Sequence, residues 1–311
     1  MRRGIGLATA LTTGLVLIGG TQAAASRTVV SAPPKPKSSA PAPVTTEKKS
    51  FGYGSNPAQQ TDVYWRKSTV KQPGVVLVHG GWWSGGDKSS LETAARSLVK
   101  NGWVVYNVNY RLSGEASWPA QRDDVLAAIS WARTNAAKFN LNPDQIAVLG
   151  VSAGGHIAAA AGTYGNGAAK LRGVASVSGI MSPITAYDDG ESLVDDETFK
   201  LRVSAELLAG GCPPDACPEV WNDMEIPQQV SAGDAAHYLV YSAEEFVPPT
   251  HGEQLALKLK AFGVPVTLRV LPGDKHAPLY SSGEVDKIAA WLKTRFPSPP
   301  AGGKGKSDTK K

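Results

Sequence analysis

A serine near the middle of the 311-residue chain has the surroundings of a nucleophile. Ser152 occurs in the run Gly-Val-Ser-Ala-Gly, which follows the apolar residues 146–149 and precedes the small residues of 155–160. This order predicts a strand, a tight turn and a helix, and a serine on such a turn projects its hydroxyl away from the backbone. Because a serine hydroxyl is a weak nucleophile by itself, a base, an acid and an oxyanion site must be sought elsewhere.

A glycine-rich segment upstream could supply the oxyanion site. Residues 79–88 read His-Gly-Gly-Trp-Trp-Ser-Gly-Gly-Asp-Lys and follow an apolar run at 75–78. Glycines let backbone N–H groups turn toward one point, which is what a developing oxyanion needs. A phosphate-binding loop is disfavoured, since Lys88 does not directly follow a glycine and the glycine spacing of such loops is missing.

The elements that must position these residues alternate along the chain. The periodicity predicts strands at 75–78, 104–108, 146–149, 174–177, 238–241 and 266–271, and helices at 88–101, 119–139, 153–162, 250–263 and 284–295. Alternating strands and helices indicate a mostly parallel sheet, and continuous apolar runs indicate strands covered on both faces. Residues 182–234 break this rhythm with acidic clusters and short helical pieces, so they are predicted to form an insertion, either a lid or a fixed rim.

Three segments carry a family pattern: His79–Trp83, Asn109–Leu112, and the stretch from Asn142 through Ser152 to His156. They resemble the α/β-hydrolase superfamily, and the chain is most similar to its esterase branch. That branch includes hormone-sensitive-lipase-like esterases, feruloyl and acetyl-xylan esterases, and kynurenine formamidase. The resemblance covers most of residues 70–295 and is weakest at 182–230. It implies an α/β-hydrolase fold with helices on both faces of the sheet and an insertion after the nucleophile.

The resemblance also implies the chain order nucleophile, acid, histidine. His276 lies in the loop after the last predicted strand, where this family carries its catalytic base. The other four histidines have structural interpretations: His79 opens the oxyanion loop, His156 packs in the helix after Ser152, His237 precedes a strand, and His251 begins a helix as an exposed residue.

The acid is expected in the loop after the predicted strand at 238–241. The family pattern places an aspartate three residues before a Val-Pro pair, and Val247 and Pro248 put Glu244 at that position. Glutamate replaces the usual aspartate, and a second glutamate follows, so Glu245 remains the alternative acid. Either carboxylate would orient the imidazole and stabilise the imidazolium.

The resemblance further implies that backbone N–H groups form the oxyanion hole. The expected donors are Ala153, which follows the nucleophile, and either Gly81 or Trp82. Tryptophans at 82 and 83 could also line a substrate pocket, and Trp83 is the tentative candidate for that role.

The flanks of the chain differ from its body. Residues 1–25 have the positive start, apolar centre and small-residue end of a secretory signal peptide, and the apolar run is short and glycine-broken for a membrane anchor. Residues 26–50 are predicted to be a Pro/Ser/Lys-rich linker, 51–296 the hydrolase domain, and 297–311 a disordered basic tail. The excess positive charge lies in the flanks, because residues 51–296 carry a formal charge of −4 within a chain of +5.

This charge distribution disfavours a nucleic-acid-binding protein. Two cysteines five residues apart, Cys212 and Cys217, are predicted to form a disulfide in an exported protein rather than a metal site. The predicted function is that of a secreted serine hydrolase of carboxylic esters, without metal or organic cofactor and without stable membrane insertion. Its substrate would be a small-molecule or polysaccharide ester. The alternatives are an amide-directed hydrolase and an inactive hydrolase fold used for binding.

Overall fold

The computed structural model describes residues 45–191, 196–277 and 282–296. The predicted signal peptide and basic tail, and most of the predicted linker, lie outside these ranges. The described residues contain eight strands: β1 (Thr46–Gly52), β2 (Gln60–Arg66), β3 (Gln72–Val78), β4 (Val104–Val108), β5 (Leu141–Val151), β6 (Val174–Val177), β7 (His237–Ser242) and β8 (Val266–Leu271).

The eight strands form one sheet in the order β1-β2-β4-β3-β5-β6-β7-β8. The pairs β1-β2 and β2-β4 are antiparallel, and every pair from β4 to β8 in this order is parallel. The prediction of a mostly parallel sheet is therefore confirmed. The carboxyl ends of its parallel strands meet at one edge, which is where residues from distant parts of the chain can form a site.

Helices cover both faces of this sheet. They are α1 (Glu92–Lys100), α2 (Ala120–Thr134), α3 (Ala136–Phe139), α4 (Ala153–Thr163), α5 (Pro183–Asp189), α6 (Asp196–Leu208), α7 (Pro218–Met224), α8 (Ile226–Gln229), α9 (Thr250–Ala261) and α10 (Ser282–Lys293). Buried residues of α1 and α10 belong to one apolar core, and those of α2, α4 and α9 belong to the other. The two cores lie on opposite faces, because alternate residues of β3 are divided between them.

The predicted boundary between linker and domain is wrong. Residues 46–50, assigned to the linker, form most of β1, which pairs antiparallel with β2 along its whole length. Its polar composition is that of an exposed edge strand, where charge does not prevent pairing. Lys48 of this strand makes ion pairs with Asp62 and Glu92.

The insertion at 182–234 consists of α5 to α8. It packs on the domain through buried side chains of all four helices, including Ala186, Leu201, Trp221 and Ile226. The predicted disulfide is present between Cys212 and Cys217, and the indole N–H of Trp221 donates to the Cys212 carbonyl at 2.7 Å. Every helix in the described part of the chain falls short of the length and apolar character needed to cross a membrane.

Candidate active site

Ser152 lies on the turn between β5 and α4, as the sequence predicts. Its backbone has φ 55° and ψ −126°, a conformation that L-residues rarely adopt and that places the side chain outside the strand and the helix. Its N–H donates to the Val177 carbonyl at 2.8 Å, which fixes the turn to β6. A Cβ at Gly154 would collide with the carbonyls of Val78 and His79, so a glycine is required for the helix to start this close to β3.

Ser152 and His276 form a hydrogen-bonded pair although 124 positions separate them in the chain. The Ser152 Oγ is 2.9 Å from His276 Nε2, and His276 Nδ1 is 2.6 Å from Glu245 Oε2. A carboxylate accepts hydrogen bonds, so Nδ1 donates to Glu245 and Nε2 is left to accept from the Ser152 hydroxyl. The three side chains can therefore pass a proton from serine to imidazole while the carboxylate stabilises the charge that results.

The acid in this arrangement is Glu245, so the choice of Glu244 is wrong. The Glu244 side chain is exposed, and its backbone N–H donates to the Gly273 carbonyl at 3.0 Å. The Glu245 side chain is fully buried and points toward His276. Consecutive residues of a short turn project in different directions, and only the second glutamate of the pair projects inward.

Two serines that the sequence reasoning missed complete the surroundings of Glu245. Its Oε1 accepts from the Ser178 hydroxyl at 2.8 Å and from the Ser242 N–H at 2.7 Å. With Oε2 bound to His276, the buried carboxylate has three donors, which is what a charged group without access to water requires. A sequence signal exists only in hindsight, since each serine directly follows or ends a strand of the parallel sheet.

The glycine-rich loop lies against the nucleophile. A Cβ at Gly80 would approach the Ser152 Cβ to 2.9 Å, so the loop backbone passes directly beside the serine. Gly81, Trp82 and Trp83 have positive φ in succession, at 122°, 59° and 55°. The loop is braced by the Tyr110 hydroxyl, which donates to the His79 carbonyl at 3.0 Å.

Two of the three expected oxyanion donors border one cleft, and the third directly follows Ser152. Gly81 and Trp82 line this cleft together with Ser152 and His276. Ala153 is the first residue of α4, so its N–H has no acceptor within the helix and lies at the positive end of the helix dipole. This placement is compatible with an oxyanion hole made of backbone N–H groups.

The cleft has a volume of about 370 Å³. Its apolar wall contains Trp82, Leu91 and Phe246, and Ser90 and Glu197 add polar groups. The Trp82 ring stacks on Phe246 with centroids 5.2 Å apart, and Phe246 lies 4.2 Å from the His276 ring.

Trp83 does not line the cleft, so its tentative assignment to the substrate pocket is wrong. The side chain is fully buried in the core, and its indole N–H donates to His156 Nδ1 at 3.2 Å. Adjacent residues of the loop again face opposite ways: Trp82 faces the cleft, and Trp83 fills the space beneath it. Lys200 of α6 lies 4.7 Å from the Trp82 ring centroid.

Three further histidines are buried and structural. Burial lowers the pKa of His156, His237 and His251 to about 4, so each imidazole is neutral at pH 7. The expectation that His251 is exposed is wrong, since its Nδ1 accepts the Ser182 N–H at 3.2 Å in the interior. Burial also raises the pKa of the Glu225 carboxyl to about 6.

Comparison with known proteins places this geometry in context. The BD-FAE family model matches residues 61–184, which run from β2 past Ser152 into α5. The chain is 32% identical over 205 residues to Esterase LipC of Mycobacterium tuberculosis, covering 63% of this chain and 51% of LipC. It is 39% identical over 115 residues to Carboxylesterase NlhH of the same species, covering 36% of each protein. The chain thus spans about half the length of LipC and about a third of NlhH.

Among solved structures, a truncated carbohydrate esterase from gut microbiota matches with a TM-score of 0.70 at 21% identity. The match covers 81% of this chain and 96% of that one. The shared architecture confirms the predicted α/β-hydrolase fold, and the similarity to esterases in both sequence and structure agrees with the resemblance read from the motifs.

Proposed function

We propose that the protein hydrolyses carboxylic esters through an acyl-enzyme formed on Ser152. The observation that carries the proposal is the continuous hydrogen-bonded relay from the Ser152 hydroxyl through His276 to Glu245, with distances of 2.9 and 2.6 Å. A buried carboxylate, an imidazole of fixed tautomer and a serine on a strained turn have this arrangement in serine hydrolases generally.

Acylation begins when the Ser152 oxygen attacks the ester carbonyl and His276 Nε2 accepts the hydroxyl proton. Negative charge then develops on the former carbonyl oxygen, and the N–H groups of Ala153 and of Gly81 or Trp82 would stabilise it. The tetrahedral intermediate collapses as the protonated His276 gives its proton to the leaving alcohol. Glu245 stays ionised and holds the imidazolium throughout.

Deacylation repeats these steps with water. His276 Nε2 removes a proton from a water molecule, the hydroxide attacks the acyl carbonyl, and the proton then returns to the Ser152 oxygen as the carboxylic acid leaves. The same residues serve both half-reactions, so the loss of any one should slow turnover by orders of magnitude.

We propose an ester of a small alcohol or a carbohydrate as the substrate. The similarity to proteins named carboxylesterase and carbohydrate esterase supports this class. The cleft agrees with it, because an apolar wall next to Ser152 suits an acyl group, and the polar Ser90 and Glu197 suit a hydroxyl-bearing alcohol.

We also propose that the protein is secreted after removal of residues 1–25. The disulfide between Cys212 and Cys217 supports this location, because disulfides persist in oxidising compartments. Amino-terminal sequencing of the protein recovered from culture medium tests the proposal. Retention of the whole protein in the cells would contradict it.

The reaction is tested with Ser152→Ala and with p-nitrophenyl acetate and butyrate as substrates. We expect the wild-type protein to hydrolyse these esters, to react covalently with a fluorophosphonate probe at Ser152, and to lose both properties in the variant. A parallel assay with the matching p-nitroanilides separates ester from amide hydrolysis. Undiminished hydrolysis by Ser152→Ala would refute the assignment, and a wild-type protein that resists the probe would favour a binding module.

A further inference from the structure

Ser178 occupies a position between the two loops that carry the acid and the base. It directly follows β6, is fully buried, and has a positive φ of 51°. Its N–H donates to the Val240 carbonyl at 2.7 Å, which ties it to β7. The fold thus accepts a left-handed, non-glycine residue at a buried point of the sheet edge, next to the relay described above.

The hydroxyl of Ser178 both donates and accepts a hydrogen bond. It donates to Glu245 Oε1 at 2.8 Å and accepts the N–H of Ala277 at 2.9 Å. Because the Ala277 N–H can only donate, the serine proton is directed to the carboxylate. One hydroxyl therefore connects the acid to the residue that follows His276.

Ser242 makes the complementary connection on the other side of the histidine. Its hydroxyl donates to the Lys275 carbonyl at 2.6 Å, and its backbone N–H donates to Glu245 Oε1 at 2.7 Å. Lys275 and Ala277 flank His276, so each neighbour of the histidine is held by a different serine hydroxyl.

We propose that Ser178 and Ser242 are positioning residues that hold the His276 loop against Glu245. Pro272–Lys275, which precede His276, are exposed, so these hydroxyl contacts add to the hydrogen bond from the Glu244 N–H to the Gly273 carbonyl and to the packing of Phe246 on His276. Without the two hydroxyls, Glu245 and Ser152 are still present, but the backbone on both sides of His276 loses the contacts that set the distance from the imidazole to Ser152. The kinetic part of this inference rests on the proposed function.

The two hydroxyls should have separable effects. The Ser178 hydroxyl contacts the carboxylate itself, so its loss leaves Glu245 with one donor fewer and with a stronger hold on the imidazolium proton. A higher pH is then needed to free Nε2 for catalysis. The Ser242 hydroxyl contacts only the loop backbone, and the Ser242 N–H remains when that hydroxyl is removed.

The test compares Ser178→Ala and Ser242→Ala with Ser176→Ala. Ser176 is a matched control, because it is fully buried in β6 two positions before Ser178 and its hydroxyl has no hydrogen-bond partner among the described residues. Ser178→Gly is added because glycine adopts a positive φ without strain. If Ser178→Ala fails to fold, this second variant still removes the hydroxyl.

For Ser178→Ala and Ser178→Gly we expect kcat on p-nitrophenyl acetate to fall about 10- to 100-fold, with KM within about threefold. The acidic limb of the pH profile of kcat/KM should move to higher pH. Ser242→Ala should lower kcat without moving that limb, and Ser176→Ala should match the wild type. Unchanged kcat and an unchanged limb in both Ser178 variants would overturn the inference, as would an equal loss in Ser176→Ala.

A readout that does not depend on ester hydrolysis separates this inference from the proposed function. The His276 Nδ1 proton, hydrogen-bonded to Glu245, should give a low-field proton resonance that disappears in His276→Ala. The inference predicts that this resonance shifts or broadens by exchange in Ser178→Ala and is unaffected in Ser176→Ala. A wild-type protein without esterase activity would refute the proposed function alone, whereas an unmoved resonance in Ser178→Ala would refute the positioning role.

Discussion

Replacing Glu245 by glutamine tests the acid assignment most directly. Glutamine has the shape of glutamate, but one of its terminal groups can only donate hydrogen bonds. At Glu245, Oε1 accepts from Ser178 and Ser242, so the amide oxygen must occupy that side. The amide NH₂ is then placed where Oε2 lies, 2.6 Å from His276 Nδ1.

Two donors cannot share that contact, so the imidazole must adopt the tautomer in which Nδ1 accepts. Nε2 then carries the proton and cannot take one from the Ser152 hydroxyl. The same acid-to-amide change in a serine protease lowers kcat by about 10⁴-fold. We expect a loss of that order here, which corresponds to about 5.5 kcal/mol of transition-state stabilisation.

The assay is the steady-state hydrolysis of p-nitrophenyl acetate by Glu245→Gln and by the adjacent control Glu244→Gln. The control has the same chemistry at an exposed side chain, so its kcat should stay within about twofold of the wild type. Thermal unfolding of both variants verifies that each is folded. A large loss in Glu244→Gln together with an active Glu245→Gln would refute the reasoning from this geometry.

Trp82→Ala should lower kcat/KM about tenfold, because it removes a wall of the cleft. Trp83→Phe should leave KM near the wild-type value and lower the free energy of unfolding by about 1–3 kcal/mol, since the buried Nδ1 of His156 loses its donor. Steady-state kinetics and urea unfolding distinguish the two effects. Stability should fall as the pH drops from 6.5 to 4, because the buried His156, His237 and His251 take up protons in the unfolded chain but not in the folded one. Glu225 acts in the opposite sense between pH 4.5 and 6. The histidine contribution is tested with His251→Asn, which keeps an acceptor for the Ser182 N–H: its urea midpoint should fall less steeply with decreasing pH than that of the wild type. Replacing both cysteines by alanine should lower the free energy of unfolding by about 2 kcal/mol for so short a loop, with kcat unchanged because neither cysteine lines the cleft.

The sequence predicts the parts of this fold whose residues are uniform in character. The strands β3 to β8, most of them rich in apolar residues, and the helices between them appear close to their predicted positions. The two antiparallel strands β1 and β2 were not predicted. Their residues are largely polar or mixed, and their pairing depends on a tertiary partner that local periodicity does not reveal.

The residues of the candidate site also divide into those that the sequence predicts and those that it does not. Ser152 and His276 are marked by motif and by position after a strand, and the structure brings them together. The choices between Glu244 and Glu245, and between Trp82 and Trp83, depend on which of two adjacent side chains points inward. Spacing along the chain cannot decide this, because a small change in the backbone angles of a loop changes which of two adjacent side chains faces inward.

Aromatic contacts join the loop that carries Trp82 to the loop that carries Glu245. Trp82 follows Gly81 of the glycine-rich loop, and Phe246 follows Glu245 in the loop after β7. The two rings stack on each other, and Phe246 packs on His276. Aromatic packing therefore runs beside the hydrogen-bonded relay and joins the same loops.

Because both hydrogen bonds and aromatic contacts join these loops, a movement of one loop must break contacts with the other. The glycine-rich loop cannot move away from Ser152 without separating Trp82 from Phe246, and Phe246 cannot move without releasing the ring of His276 from its apolar contact. A change at Trp82 should therefore lower kcat as well as raise KM, although the indole takes no part in proton transfer. Aromatic side chains that bury large areas with few rotatable bonds are suited to this role, because they fix the position of neighbouring backbone at low entropic cost.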